Sequence, residues 1–421
     1  MRLTLALHPV TGLEFADATR LDGTRLQVDR EELRQLLLKD RRLQSVDLET
    51  VCPGESSRVG DIFDILEPRA KEPGSGADFP GILGPYVLAG QGTTHVLRGS
   101  AVTVLDEGLP RAGGKLLEMG GEAGAATPYG ALHHLVIIPH GVPGLPRHAF
   151  QNALRLASVT ASVYLARAAV RRVPATIEVF DLEGPQVGGR EGLLRAAFIG
   201  QIHGHQHGGE ADEHILYGSN TQGMIPVPLH PNEWLDGAVV LSYWNNHNEE
   251  TYFYQNHPVI LELYRRHQAG ELTFVGSIAT VAASLEEERD RNCMVAAHLA
   301  KWTLGADVVL LTKYGGGAPH ADMGLTARLC ETMGMRTVVA VTGSAGDSQA
   351  ESALLFNYPE VDAIVHVGGN GIKWAVGRPE RVFAGTPEAA EALATLREVS
   401  ASRVCGVANA QGASKVSITV Y

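Results

Sequence analysis

The sequence predicts an α/β protein: a β-rich N-terminal domain followed by a mostly parallel sheet with helices on both faces. Three observations carry that expectation. Short alternating runs dominate the first part, Gly/Pro joints separate them, and from about residue 195 strand and helix patterns alternate. Crossovers long enough to hold a helix join parallel neighbours and bury both faces of their sheet.

In order, "VDLETV" and "THVLRGSAVTVLDEG" read as strands, with the Gly/Pro stretch 71–85 as the most flexible piece. "LHHLVIIPHGV" is a strand, and "HAFQNALRLASVTASVYLARAAV" is a helix from its alanine and leucine content and apolar spacing. "TIEVFDLE" is a strand that closes a connecting segment, 151–194, between an N-terminal domain 1–150 and an α/β domain 195–421. There, "RAAFIGQI", "DGAVVLSY", "LTFVGSIAT", "ADVVLLTK", "RTVVAVT" and "DAIVHVGG" read as strands. Helices fall on "HPVILELYRRHQAG", ended by Gly270, on "LEEERDRNCMVAAHLAKWTLG", and on "MGLTARLCETMG". "GSAGDSQAESALLFN" reads as a loop entering a further helix.

With Lys+Arg 35 against Asp+Glu 47, a net charge of −12 and no basic block, the chain is a poor match to nucleic acid or an anionic membrane. No apolar run approaches a bilayer span, and the first residues lack a signal-peptide pattern, so the expected location is the cytoplasm. Cys52, Cys293, Cys330 and Cys405 are scattered, without a CxxC pair. Cys293 and Cys330 sit in helical patterns, as small buried apolar residues do.

In an open parallel sheet, functional groups collect in loops at the carboxyl ends of strands, here 203–214, 242–257, 313–322 and 343–349. The first reads "HGHQHGGEADEH" and holds His203, His205, His207 and His214, four of the 17 histidines. Alternate strand residues share a face, so the first three would point together and hold a divalent metal such as zinc, with His214 or Glu213 completing the set. A solvated loop is the competing reading. "GGG" at 315–317 offers amides to an anion or, as the preferred reading, a turn needing positive φ. For Lys313, His320 and Asp322 a solvated loop is preferred over a place in the cleft.

The segment Ser242–Val259, "SYWNNHNEETYFYQNHPV", is the second constellation. Asn245, Asn246, Tyr252, Tyr254, Gln255, Asn256 and His257 can hydrogen-bond a polar ligand, while Glu249 or Glu250 with His247 can pass protons. A well-packed loop with satisfied amides is the alternative.

Several blocks carry a resemblance along the whole chain: "MRLTL", "PGESSRVGDIFDILEPRAK", "GQGTTHVLRGSAV", "LDGAVV", "TYFYQNHPVILELYRRH" and "GVANAQGASKVS". In these the chain resembles the protein B α/β subunit proprotein of the glycine, sarcosine and betaine reductases and its D-proline reductase counterpart. The resemblance implies a reductase-complex subunit that works with a larger subunit bearing cysteine or selenocysteine and cleaves the C–N bond of a small amine substrate. It also implies self-cleavage at a cysteine after the strand matching "DGAVV", which leaves a pyruvoyl group able to capture an amine. Here "LSYWNNHNEE" has no cysteine. Ser242 lies near that position as a chemically competent precursor, but Leu241 and Tyr243 depart from the family pattern, so the expectation is loss of the pyruvoyl group. A metal-dependent lyase or hydrolase using the histidine loop, and a non-catalytic partner subunit, are the two other readings.

Overall fold

The computed structural model describes all residues except 109–113, 183–191, 205–212, 244–248, 284, 344–358, 370, 413–418 and 421. Its architecture is α/β. The expected loop-to-helix at 343–357 falls largely outside the described residues.

The C-terminal part is built on one seven-stranded sheet, whose strands are numbered here within it: β1 (Arg195–Gly204), β2 (Val227–Leu229), β3 (Thr273–Ala282), β4 (Val308–Thr312), β5 (Arg336–Gly343), β6 (Ala363–Gly369) and β7 (Thr419–Val420). Their order is β2-β3-β1-β4-β5-β6-β7. The five central strands are parallel, and only the edge strands β2 and β7 run against their neighbours. Both faces are covered, because alternate β1 side chains go opposite ways. Phe198 and Ile202 pack with Ile260 and Leu263 of helix α1 (Pro258–Gln268). Ala197 and Ile199 pack with Ala296 of α2 (Glu286–His298) and with Met323 and Ala327 of α3 (Ala318–Thr332). Gly270 at φ 74° and Gly305 at φ 62° turn the chain after α1 and after the π-helical extension of α2.

The N-terminal part is β-rich, with two four-stranded sheets flanking a long helix, Arg147–Arg167. The buried side of that helix is mostly apolar and packs in a core with Leu48, Phe63 and Leu135, while Gln151, Arg155, Ser158 and Ser162 are buried polar exceptions. An eight-residue helix at Arg30–Leu37, which has no long periodic pattern, is started by the Asp29 side chain accepting from the Glu32 amide at 2.9 Å. The Gly/Pro stretch is fastened by buried Phe79 and by the Lys71 amide donating to Asp78 Oδ1 at 2.6 Å.

Two strands cross the sequence divisions. Thr176–Asp181 pairs antiparallel with Arg2–Pro9, and Arg381–Phe383 pairs in parallel with Ser57–Val59. The chain therefore returns to its N-terminal part after β6, through short strands that alternation alone did not distinguish.

Two expected elements differ. "DGAVVLSY" is buried but, among the described residues, joins no ladder beyond a bridge between Val239 and Leu216. Gly237 at φ 87° breaks its start, and side chains satisfy its end: Leu241 N donates to Thr251 Oγ1 at 3.1 Å, and Leu241 O accepts from Arg155. Helix α3 begins at Ala318 rather than near Met323, because Pro319 suits a first helical turn. His320 and Asp322 are therefore helical and buried, and Lys313 is buried too, so the solvated-loop reading of these three does not hold. Gly315 and Gly317 take positive φ of 82° and 68°, the turn that the three glycines implied.

Candidate functional site at the sheet switch point

The next parallel strand after β1 is β3, on one side of it, and the chain then crosses to β4 on the other. Crossovers on the two sides cover opposite faces, so the carboxyl ends of β1 and β4 mark the position at which open α/β sheets form their binding crevice. Gln201 and His203 come from β1, and Thr312, Lys313 and Tyr314 from the end of β4. Gln411, returning from the far C-terminal segment, ties the two strands together. Its Oε1 accepts from Thr312 Oγ1 at 2.6 Å, and its Nε2 donates to Gln201 O at 3.0 Å.

Over this crevice lies the segment expected to carry function. Asp64 fixes its position: the Thr251 amide and hydroxyl donate to its two oxygens at 2.8 and 2.6 Å, and Arg155 pairs with it. Arg155 also reaches Leu241 O, so the long N-terminal helix holds the peptide just before Ser242. Ser242 Oγ lies 2.6 Å from Tyr314 Oη, and the next amide, of Tyr243, donates to Glu213.

Glu249 and Glu250 are fully buried. Tyr129 donates its hydroxyl to Glu250 Oε2 at 2.9 Å. Both oxygens of Glu249, and Oε1 of Glu250, have no hydrogen-bond partner among the described residues. Burial pushes Glu249 well above the carboxylate range, with Glu250 adding to the rise and Lys115 and Lys313 opposing it. Burial raises Glu250 as well. The same desolvation lowers Lys115, and lowers Lys313 to about 8. Cys405 lies against Glu250 and is held well up as a neutral thiol, by burial and then by that carboxyl. Two acids whose burial favours the protonated form, beside two amines whose burial favours the uncharged form, are suited to exchanging protons.

The expected site residues divide into groups. Ser242, Glu249, Glu250 and Tyr254 belong to this buried cluster, and His257 borders it, 3.3 Å from Gln411 and against Phe198 at 4.7 Å. Burial lowers His257 to about 4, so it is neutral at pH 7. Gln255 and Asn256 instead engage Glu67 and its arginines: the Glu67 amide donates to Gln255 Oε1 at 2.9 Å, and Arg98 donates to Asn256 Oδ1 at 2.8 Å. Tyr252 is half-buried near Arg98. Asn245, Asn246 and His247 lie outside the described residues, as do His205 and His207. His203 sits at the end of β1, 3.2 Å from Thr221 Oγ1 and 3.6 Å from Glu213, while His214 follows Glu213. Among the described residues no group of three or more His, Cys, Asp or Glu is placed to hold a metal ion.

Lys115, Tyr129, Arg155, Cys405 and Gln411 were not singled out as site residues by sequence reading. Cys405 flanks and Gln411 lies within the block "GVANAQGASKVS", which marked a resemblance without saying what it touches. Lys115 stands in "GGKLLEMG", whose pattern signals nothing.

No solved structure matches the chain. Curated relatives do. The glycine reductase complex component B subunits alpha and beta of Acetoanaerobium sticklandii are 30% identical over 374 residues, 88% of this chain and 85% of the relative. The sarcosine reductase complex component B subunit alpha of Peptoclostridium acidaminophilum is 29% identical over 378 residues, 89% and 87% of the two chains. The betaine reductase counterpart from that organism is 26% identical over 383 residues, 87% and 84%. The family model for glycine/sarcosine/betaine reductase component B subunits matches residues 1–401. With the crevice residues from Asp64 to Tyr314 inside that match, the chain belongs to the glycine/sarcosine/betaine reductase component B subunit family.

Proposed function

We propose that the chain is the substrate-binding subunit of a reductase complex that cleaves the C–N bond of a small amine or amino-acid-like molecule, without a cysteine-derived pyruvoyl group. The observation that carries this reading is Glu249, a buried carboxyl whose oxygens lack partners among the described residues, set beside Glu250, Lys115 and Lys313. A carboxyl so placed can accept hydrogen bonds from an ammonium, and a nearby lysine can balance a ligand carboxylate. Relatives named for glycine, sarcosine and betaine reductases support ligands of that size and charge.

The pyruvoyl group that the family implies does not fit the residues present. The loop after Val240 has serine where a cysteine is expected, and the four cysteines stand elsewhere. Ser242 Oγ meets Tyr314, whose phenol burial holds well above its ordinary value, so that neighbour is an acid and not a base at neutral pH. The chain's own residues bind the amine and keep water out; electrons come from a larger partner subunit bearing cysteine or selenocysteine.

Titration calorimetry with glycine, sarcosine and betaine, using the chain in complex with co-purified partner subunits, tests this reading. Binding of at least one of them is expected, weakened by about a hundredfold in Glu249→Gln, since a buried ion contact is worth a few kcal/mol. No binding of any of the three sinks the reading. An intact mass near 44.9 kDa is expected, and two fragments dividing near residue 242 would overturn the pyruvoyl-free part.

A further inference from the structure

Lys313 is the first residue beyond β4, so the switch point aims its amine from a strand end into the crevice. It is 3% exposed. Its Nζ donates to Gly315 O at 2.7 Å, and Gly315 can turn that carbonyl back because it adopts φ 82°, a conformation that other residues resist. The ionisable groups around the amine are Glu249, whose oxygens lack hydrogen-bond partners among the described residues, and His320 on the first turn of α3. A buried amine next to a buried carboxyl acid is the pair that condensation with a carbonyl requires: a nucleophile and a proton source for the departing oxygen.

We propose that Lys313 is a Schiff-base residue that captures a small carbonyl compound, an aldehyde or α-keto acid, in this crevice. The uncharged amine attacks the carbonyl carbon, a C–N bond forms, and a proton moves from nitrogen to oxygen to give a carbinolamine. Glu249 then gives its proton to the hydroxyl, the C–O bond breaks and water leaves. An iminium remains, paired with the Glu249 carboxylate. Amine plus carbonyl gives imine plus water, with no oxidation or reduction. With Lys313 lowered by burial to about 8, about a tenth of the amine is uncharged at pH 7, where an ordinary lysine has well under a thousandth. Burial also favours the protonated form of Glu249, the form that acts as the acid. The inference stands apart from the amine reading, because an amine cannot condense with lysine.

The full chain is incubated with pyruvate or glyoxylate and sodium borohydride, and the product is mapped by peptide mass. The expected result is one reduced adduct per chain on the Lys313 peptide, absent in Lys313→Arg. Capture should be slowed by about tenfold or more in Glu249→Gln, a typical loss for removing a general acid. Exposed Lys373 is the internal control. No adduct, or adducts on Lys373 and other exposed lysines without excess at Lys313, overturns the proposal. The adduct is located in the unsubstituted chain, so the result does not depend on any variant folding. The calorimetric test of amine binding succeeds or fails separately.

Discussion

Asp64 and Glu249 are both fully buried carboxyls, and they differ in what surrounds them. Asp64 accepts from the Ile65 and Thr251 amides, the Thr251 hydroxyl and Arg155. Glu249 accepts nothing among the described residues. Asp236 is a second Asp64: Lys71, the Gly90 amide and the Thr94 hydroxyl all donate to it. A buried ion surrounded by donors is held in place by them and supports the fold; a buried carboxyl without them costs stability and is retained where a ligand completes it. Donors around the buried carboxyl thus separate scaffold from site.

The sharpest way to break the comparison is Asp64→Ala. It strands the Arg155 guanidinium and frees Thr251, so unfolding free energy in urea should drop by about 3–5 kcal/mol. If Glu249 were a scaffold residue of the same sort, Glu249→Ala would match that loss.

Acid should act next. His134 and His257 are buried, and burial lowers each to about 4. In the unfolded chain they titrate near 6.5, so the unfolded state binds protons first as pH falls. Their stabilisation is full above about 6.5 and is lost as pH drops toward 4, by roughly a few kcal/mol. Thermal melts between pH 7 and 4.5 measure this, and His134→Gln should flatten the curve.

Glu249→Gln sharpens the contrast from the other side. The folded state raises this carboxyl, so ionisation favours the unfolded chain as pH rises above about 4.5. Glutamine removes that term, and the variant should equal or exceed the parent in melting temperature, by a margin that grows with pH. A variant that melts several degrees lower at pH 8 would place Glu249 with Asp64.

The smallest expected effect is on the thiols. Cys293 and Cys330 are buried and pushed up to about 12, and Cys405 is fully buried, whereas Cys52 is partly exposed. A disulfide reagent should titrate one thiol in the native chain and four after unfolding.

Much of the C-terminal sheet was legible because its strands are continuous apolar runs and its helices have periodic faces and glycine stops. Glu249 and Glu250 were legible as part of a polar run that follows a buried stretch. The partners that give them their character were not. Lys115 and Tyr129 come from the N-terminal part, more than a hundred residues away, and no local pattern connects them to the run. His320 and Asp322 were misread because proline and glycine neighbours suggest a loop, while Pro319 in fact opens a helix. "DGAVVLSY" was misread for a related reason: its composition is that of a strand, but Arg155 and Thr251 take the place of a partner strand.

The return of the chain after β6 has a consequence for synthesis. Gln411 bonds to Gln201 across 210 residues, and Arg58 bonds to Leu393 across 335. The sheet at Ser57–Val59 cannot close while the ribosome still holds Arg381–Phe383, nor the crevice while it holds Gln411. A nascent chain must therefore carry Glu249, Glu250 and Lys313 exposed to water from their synthesis until the C-terminal segment is free, with closure among the last and slowest events. The groups that desolvation makes reactive stay ordinary until then, so the chemistry of this crevice can begin only when assembly of the chain has ended.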